Sequence, residues 1–529
     1  MADYTREEVE ARLEQYQQEL AARQDIEEYE EVIEEIEVEV EVDAEAEEGE
    51  AAEAPAEPKA ASAVEDAVED ADEAGTDEAG ADEEPAEEEE KSSELSDAFF
   101  QGADLSGIDL SDIDFLGINL NETNFSRSDL SRARLAEATL EAGVLKGANL
   151  SDADLSHATF DRADLSQAVL ENANLQGASL KGARLLQAVL ERANLRESSF
   201  IEAVLGDVNL DEADFSRADF SRADLAGARI QSAELTRAKF NGANLKGVDF
   251  TDSKLSMGVF FETDLENANL NRVKIRGAKL RGANLKDARL SRADLTGADL
   301  SEAKILNADL SRTKLGGAIM RRTHLEGADL SEADLNIADL TQANLINVVL
   351  VGADLGRIKL IDANLKGARL GKALLRRAKL PGADLTGADL SGADLTTADL
   401  SGAHMEGADL SRSTLCEASL EGAHLKGSFF LGADMRSCNF AGADLAGAQL
   451  AGGKLTRANL SNATLKGASL ERADLEHADF SGADLSAANL KGAKLDEALF
   501  KKANLENVDF TGAEVGDADF SGARGSVPG

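Results

Sequence analysis

Between Phe100 and Phe520 every fifth residue is apolar, without one insertion or deletion. Leu or Phe holds all of these positions except Ile230, Ile275, Ile305, Met320, Met405, Met435 and Val515. Two residues before each, Ala dominates, and the word reads A-(D/N)-L-(S/T/K)-(G/R/E). A period of five suits neither regular element. On a helix five residues advance about 500°, so successive Leu would wander round the whole surface. On a straight strand an odd period sends successive Leu to opposite faces. A single core results only if the chain turns a corner in every word, keeping Ala and Leu inward. Stacked coils then bury a continuous apolar column.

Phenylalanine sets the number of words per coil. Sixteen of the 19 Phe occupy the central position, and ten of these share one phase of a 20-residue period. No such concentration arises with 15 residues. Four words per coil would therefore place Phe200, Phe220, Phe240 and Phe260 in one stack, and Phe480, Phe500 and Phe520 in another. The repeat gives about 21 such coils, a rod of roughly 100 Å at strand-like spacing. Pro381 falls just after a central Leu, where the chain can turn.

These unbroken A(D/N)LXX words resemble the pentapeptide-repeat family. The resemblance covers about four fifths of the chain. It implies an all-β solenoid, a right-handed quadrilateral β-helix. Ile108, Ile113 and Ile118 replace the small corner residue, so swollen first coils are expected there. Some family members resemble a DNA duplex in shape and charge and bind type II topoisomerases.

Ahead of the repeat the pattern changes twice. Thr5 and Glu8 are spaced as a capping box before Val9. Val9, Leu13, Tyr16 and Leu20 then share one face, followed after a phase slip by Ile26, Tyr29, Ile33 and Ile36. This predicts an acidic amphipathic helix from about residue 6 to about 36, within a segment 1–42 that could form a short coiled coil. The run Glu37–Val42 alternates with period two and could form a short strand. Residues 43–94 are nearly all Ala, Glu, Asp, Gly and Pro, which predicts a disordered acidic linker. The repeat domain is expected over 95–522, with a flexible tail at 523–529.

Charge modifies this picture. The formal net charge is −48, but residues 1–100 hold 40 Asp and Glu against 5 Lys and Arg. The acidity is mostly a property of the N-terminal segments. Within the repeat the surface is banded. Residues 271–292 include Arg272, Lys274, Arg276 and Lys279, and residues 357–379 include Arg376 and Arg377; each band nets +7. Residues 323–356 and 380–411 carry only acidic charges, the latter including Asp384, Asp389, Asp394 and Asp399. Pairing between residues 20 apart, such as Lys274 with Asp294, Lys279 with Asp299, Lys359 with Asp339 and Lys379 with Asp399, is one account of the bands. Docking of a charge-complementary partner at these residues is the other.

Little else suggests chemistry. His324, His404 and His424 fall in one column, too sparse a ligand set for a metal site. Cys416 and Cys438 should face outward and inward respectively and not bridge. No cofactor, metal or catalytic site is expected, nor an apolar run long enough to span a bilayer. The sequence thus predicts a cytoplasmic, non-catalytic scaffold that binds protein partners. Homodimer contacts would form through the last coil or the N-terminal helix. Direct binding of nucleic acid or membrane is not expected. The alternative is a DNA-mimicking binder of gyrase, for which residues 380–411 are the best window. Whole-length mimicry is poor, because roughly 100 Å of duplex carries about 60 charges.

Overall fold

The computed structural model describes residues 4–18 and 100–525, in two units. The expected strand at Glu37–Val42, the acidic linker and the far half of the expected helix lie outside the described residues.

In the first unit, residues 6–18 form helix α1. Its start is the reciprocal box read from the sequence. The Thr5 amide donates to Glu8 Oε2 at 2.7 Å, and the Glu8 amide donates to Thr5 Oγ1 at 3.3 Å. These bonds from Thr5 hold the Glu8 carboxyl below its ordinary pKa. Val9 and Leu13 are buried on one face and Tyr16 is half-buried.

The second unit is a β-helical solenoid. Parallel pairings join one residue of each word to its counterpart 20 positions on, from Asp104 with Asn124 to Leu499 with Asp519. Four such pairings in every 20 residues give four faces. The ladder closes on two short parallel strands, β1 (Asn504–Leu505) and β2 (Arg524–Gly525). The register never slips, as the repeat without insertions required.

Each word satisfies four of its backbone N–H groups in a fixed way, and a fifth where it carries Asp or Asn, visible in the first coils. Ala103 N–H donates to Phe100 O at 3.0 Å, closing a turn. Gly102 N–H reaches Asn121 O, Leu105 N–H reaches Asn124 O, and Asn124 N–H reaches Ala103 O, all between coils. The fifth, on Ser106, donates to Asp104 Oδ1 at 3.1 Å. The Asp or Asn letter therefore acts as an Asx cap on the next corner. This is the local reason for the word, and buried backbone groups require such an account.

The second corner residue takes a left-handed conformation, with φ between +53° and +72° at every corner from Gly102 to Gly522 except Asp517. Positive φ at that place marks a type II turn, which Gly fits best. Polar residues such as Arg, Asn, Asp and Glu nevertheless fill many of the corners.

Inside, the Ala and Leu columns are almost fully buried. Phe200, Phe220, Phe240 and Phe260 stack at 4.7, 5.1 and 5.0 Å between ring centres, and Phe480, Phe500 and Phe520 at 4.9 and 5.0 Å. Ring planes lie within 10° of parallel, because the backbone ladder holds identical side chains in register. Where Ser, Thr or Cys replaces the inward Ala, its hydroxyl or thiol donates to a nearby carbonyl. Thr123 bonds Phe100 O at 2.6 Å, and Cys438 bonds Leu415 O at 2.6 Å. At the expected swelling, Ile113 and Ile118 remain buried, with turn bonds of 3.3 and 3.2 Å. In the last coil Phe510, Val515 and Phe520 are only half-buried. Among the described residues, no helix is long and apolar enough to cross a membrane.

Candidate functional site

The outward letters form columns along the faces and corners, so a surface site is read across coils. The four aspartates at 384–399 all turn Oδ1 toward the backbone. Asp384 accepts from Thr386 N–H at 3.1 Å, Asp389 from Ser391 at 2.9 Å, Asp394 from Thr396 at 3.1 Å and Asp399 from Ser401 at 3.1 Å. Asp389 is exposed and the other three are half-buried. Burial would raise the Asp394 carboxyl. The bonds from Thr396 and Arg376 outweigh it and leave the group below its ordinary range.

The basic bands are partly neutralised across coils. Arg272 grips Asp252 with two bonds of 2.7 and 2.6 Å. Arg276 stands 4.0 Å from Asp294. Arg376 Nε donates to Asp394 Oδ2 at 2.5 Å, and Lys366 pairs with Asp384 at 3.0 Å. Of the four pairs expected at a spacing of 20, Lys359 with Asp339 forms, at 3.5 Å. Lys274, Lys279 and Lys379 do lie across the ladder from Asp294, Asp299 and Asp399. No ion pair joins them. Pairs at a spacing of 18, such as Arg376 with Asp394 and Lys366 with Asp384, bring a corner cation diagonally onto the next coil's Asp.

One place gathers unpaired cations around an apolar floor. A groove of about 690 Å³ is lined by Asn336, Asp354, Gly356, Arg357, Leu374, Arg376, Arg377, Thr396 and Thr397. Leu374 is 45% exposed there, at a position that elsewhere usually holds a polar letter. Gly356 lets the Asn336 and Asp354 side chains pack closely over the backbone at the groove's edge. A Cβ there would come within 2.7 Å of Asn336 Nδ2 and 3.1 Å of Asp354 Oδ1. Arg357 and Arg377 stand on successive coils of one corner, and among the described residues neither has an ion-pair partner.

The same corner column runs Ile337, Arg357, Arg377, Thr397 over four coils. All four hold left-handed backbone, with φ of 57°, 56°, 58° and 57°. Ile337 and Thr397 are the β-branched residues among the described left-handed corners. A β-branched residue with positive φ is a conformational outlier that costs on the order of 1–2 kcal/mol. Ile337 is also 55% exposed, so burial does not offset that cost. Both strained corners flank the two free guanidiniums.

The sequence flagged Arg376 and Arg377, but not Leu374 or Gly356. A β-branched letter at the second corner place was the available signal.

Of the cysteines, Cys438 is buried and Cys416 half-buried, both as free thiols. Burial and the neighbouring Asp434 push the Cys416 thiol up, which leaves little reactive thiolate.

Comparison with known proteins adds the family. The family described as "Pentapeptide repeats (8 copies)" matches in overlapping segments from residues 98–141 to 488–524. No curated protein matches the chain. Among solved structures, HetL resembles it with 33% identity over 42% of this chain and 88% of HetL, at a TM-score of 0.19. HetL is a pentapeptide repeat protein involved in heterocyst differentiation regulation from the cyanobacterium Nostoc sp. Strain PCC 7120. A pentapeptide repeat protein from the Arabidopsis thaliana thylakoid lumen shows 35% identity over 20% of this chain and 68% of its own, at 0.10. Trypsin-treated QnrB1, a plasmid-mediated fluoroquinolone resistance protein, shows 23% over 34% and 89%, at 0.22. With its words matched along nearly the whole solenoid, the chain belongs to the pentapeptide repeat family, as a right-handed β-helical scaffold.

Proposed function

We propose that the protein is a non-catalytic docking scaffold, a solenoid of about 21 coils that binds an acidic segment of a partner protein at the 336–397 groove. The observation that carries this reading is the strained corner column. Stability alone would not place Ile337 and Thr397 at left-handed corners, and local strain concentrates where a surface has work to do. Between them, Arg357 and Arg377 supply guanidiniums free to take carboxylates in fork geometry. Leu374 supplies an apolar floor for one side chain. The chemistry fits a short peptide that pairs one apolar anchor with two or more acidic residues.

The test is affinity capture of partners on the intact protein, compared with two variants. R357E/R377E should lose the partner, whereas K274E/K279E, which alters the other basic band, should retain it. A synthetic acidic peptide taken from the partner's contact region should then compete. Equal capture by both variants would sink the groove as the docking site. Inhibition of gyrase supercoiling by the protein, unaffected by R357E/R377E, would favour the DNA-mimicking reading instead.

A further inference from the structure

A cluster of metal-type donor side chains lies on another face. His404 and His424 are paired across the ladder, and their rings stack with centres 4.5 Å apart and planes 3° from parallel. Glu406, two residues after His404, brings Oε1 to 3.7 Å from His404 Nδ1. One donor atom from each of the three lies within 4.8 Å of the others.

We propose that His404, Glu406 and His424 bind a divalent transition-metal ion of the zinc class. Two imidazoles and a carboxylate form a known zinc donor set, and imidazole selects borderline ions over Mg²⁺ or Ca²⁺. Tetrahedral zinc, with ligands at about 2.0–2.2 Å, needs donors roughly 3.4 Å apart. The three donors already lie within 4.8 Å of one another, so a bound ion would have to draw them closer by side-chain rotation.

The ladder supplies the preorganisation. It fixes the two His Cβ atoms one coil apart, as it does the stacked Phe inside. The column continues with Asp384 below His404 and Asp444 above His424, so the ion would sit between two further carboxylates. Thr386 Oγ1 lies 3.4 Å from Glu406 Oε2, which leaves Oε1 toward the rings.

The other histidines provide internal controls. His324 also has a Glu two residues on, with Nδ1 at 3.5 Å from Glu326 Oε1. Its neighbour on the next coil is Asn344 rather than a second His. His477 meets Glu497 at 3.1 Å, again without a second imidazole. Each supplies one imidazole and one carboxylate but lacks the second imidazole.

The experiment is calorimetric titration of Zn²⁺ into the full chain, free of any polyhistidine tag, in excess Mg²⁺ to occupy the ordinary carboxylates. One equivalent should bind above the Mg²⁺ background. H404A and H424A should each weaken that equivalent by about tenfold or more, E406Q should weaken it less, and H324A should leave it unchanged. The His404 side chain is 49% exposed, so these variants keep the fold, which a thermal melt without zinc verifies. No equivalent above background, or zinc binding that survives both H404A and H424A, overturns the site.

Discussion

At the scale of the residue, the repeated Asp or Asn proves to be a backbone ligand before it is a surface charge. The interchange of the two letters was legible in the sequence and is explained by this. Both offer a side-chain oxygen to the amide two residues on, and only one of them carries charge. Where an Asn follows an Asp on the next coil it also donates to it, as Asn124 does to Asp104 at 3.0 Å. Asp339 shows the arrangement at its strongest. It is 8% exposed, accepts from Thr341 through Oδ1 at 3.2 and 2.6 Å, and receives Arg321 on Oδ2 at 3.1 and 2.9 Å. Burial alone would raise its pKa, but these donors bring it down to about 2. A carboxyl depressed in the folded state stabilises fully above its unfolded pKa of about 3.9 and loses that contribution as pH falls toward the folded value. D339N should therefore cost about 2 kcal/mol at neutral pH. The gap between wild type and variant should close between about pH 4 and pH 2 in denaturant titrations. A gap that stays constant over that range would show that Asp339 acts through packing alone. The corners give a change of opposite sign. Replacing Ile337 by Asn, which tolerates left-handed backbone, should raise stability by about 0.5–1 kcal/mol while weakening partner binding. A stability gain without a loss of binding would separate the strained corner from the groove.

At the scale of the element, the coil was almost wholly legible. A five-residue period excludes straight helix and strand, and the phase of the Phe letters gave four words per turn. The observed pairing at every twentieth residue, and the rings within 10° of parallel, follow from that register. The ion pairs were less legible, because they run diagonally at a spacing of 18 as well as along the columns. The groove was still less so. It depends on Asn336 packing close over Gly356, a Leu exposed at 374 and two free guanidiniums, drawn from separate columns that linear reading does not bring together. The Phe stack offers a test of coil energetics. F220A removes a ring held between Phe200 and Phe240 and should cost about 3–5 kcal/mol in chemical denaturation. F220L keeps most of the volume and should cost far less. Equal costs would mean that the stack contributes no more than any apolar side chain of similar size.

At the scale of the whole molecule, a solenoid is stabilised by nearest-neighbour contacts, so its ends are its weakest part. The last coil has half-exposed Phe510, Val515 and Phe520 and a distorted corner at Gly516, where φ is 40°. Hydrogen exchange should release the amides of residues 508–522 well before those of residues 300–400, where the same columns are fully buried. Uniform protection along the solenoid would mean that the end is covered in solution. The 20-residue register also constrains how such a gene can change length. Losing one five-residue word between Arg377 and His404 would leave the core intact, since every word buries the same letters. It would, however, turn everything downstream by a quarter revolution, carrying His404 and His424 to a different side from the one they now share with His324. Loss or gain of twenty residues would alter only the distance between the sites. Related chains that keep the arginine corner and the histidine pair should therefore differ in length between them by whole coils, and never by single words.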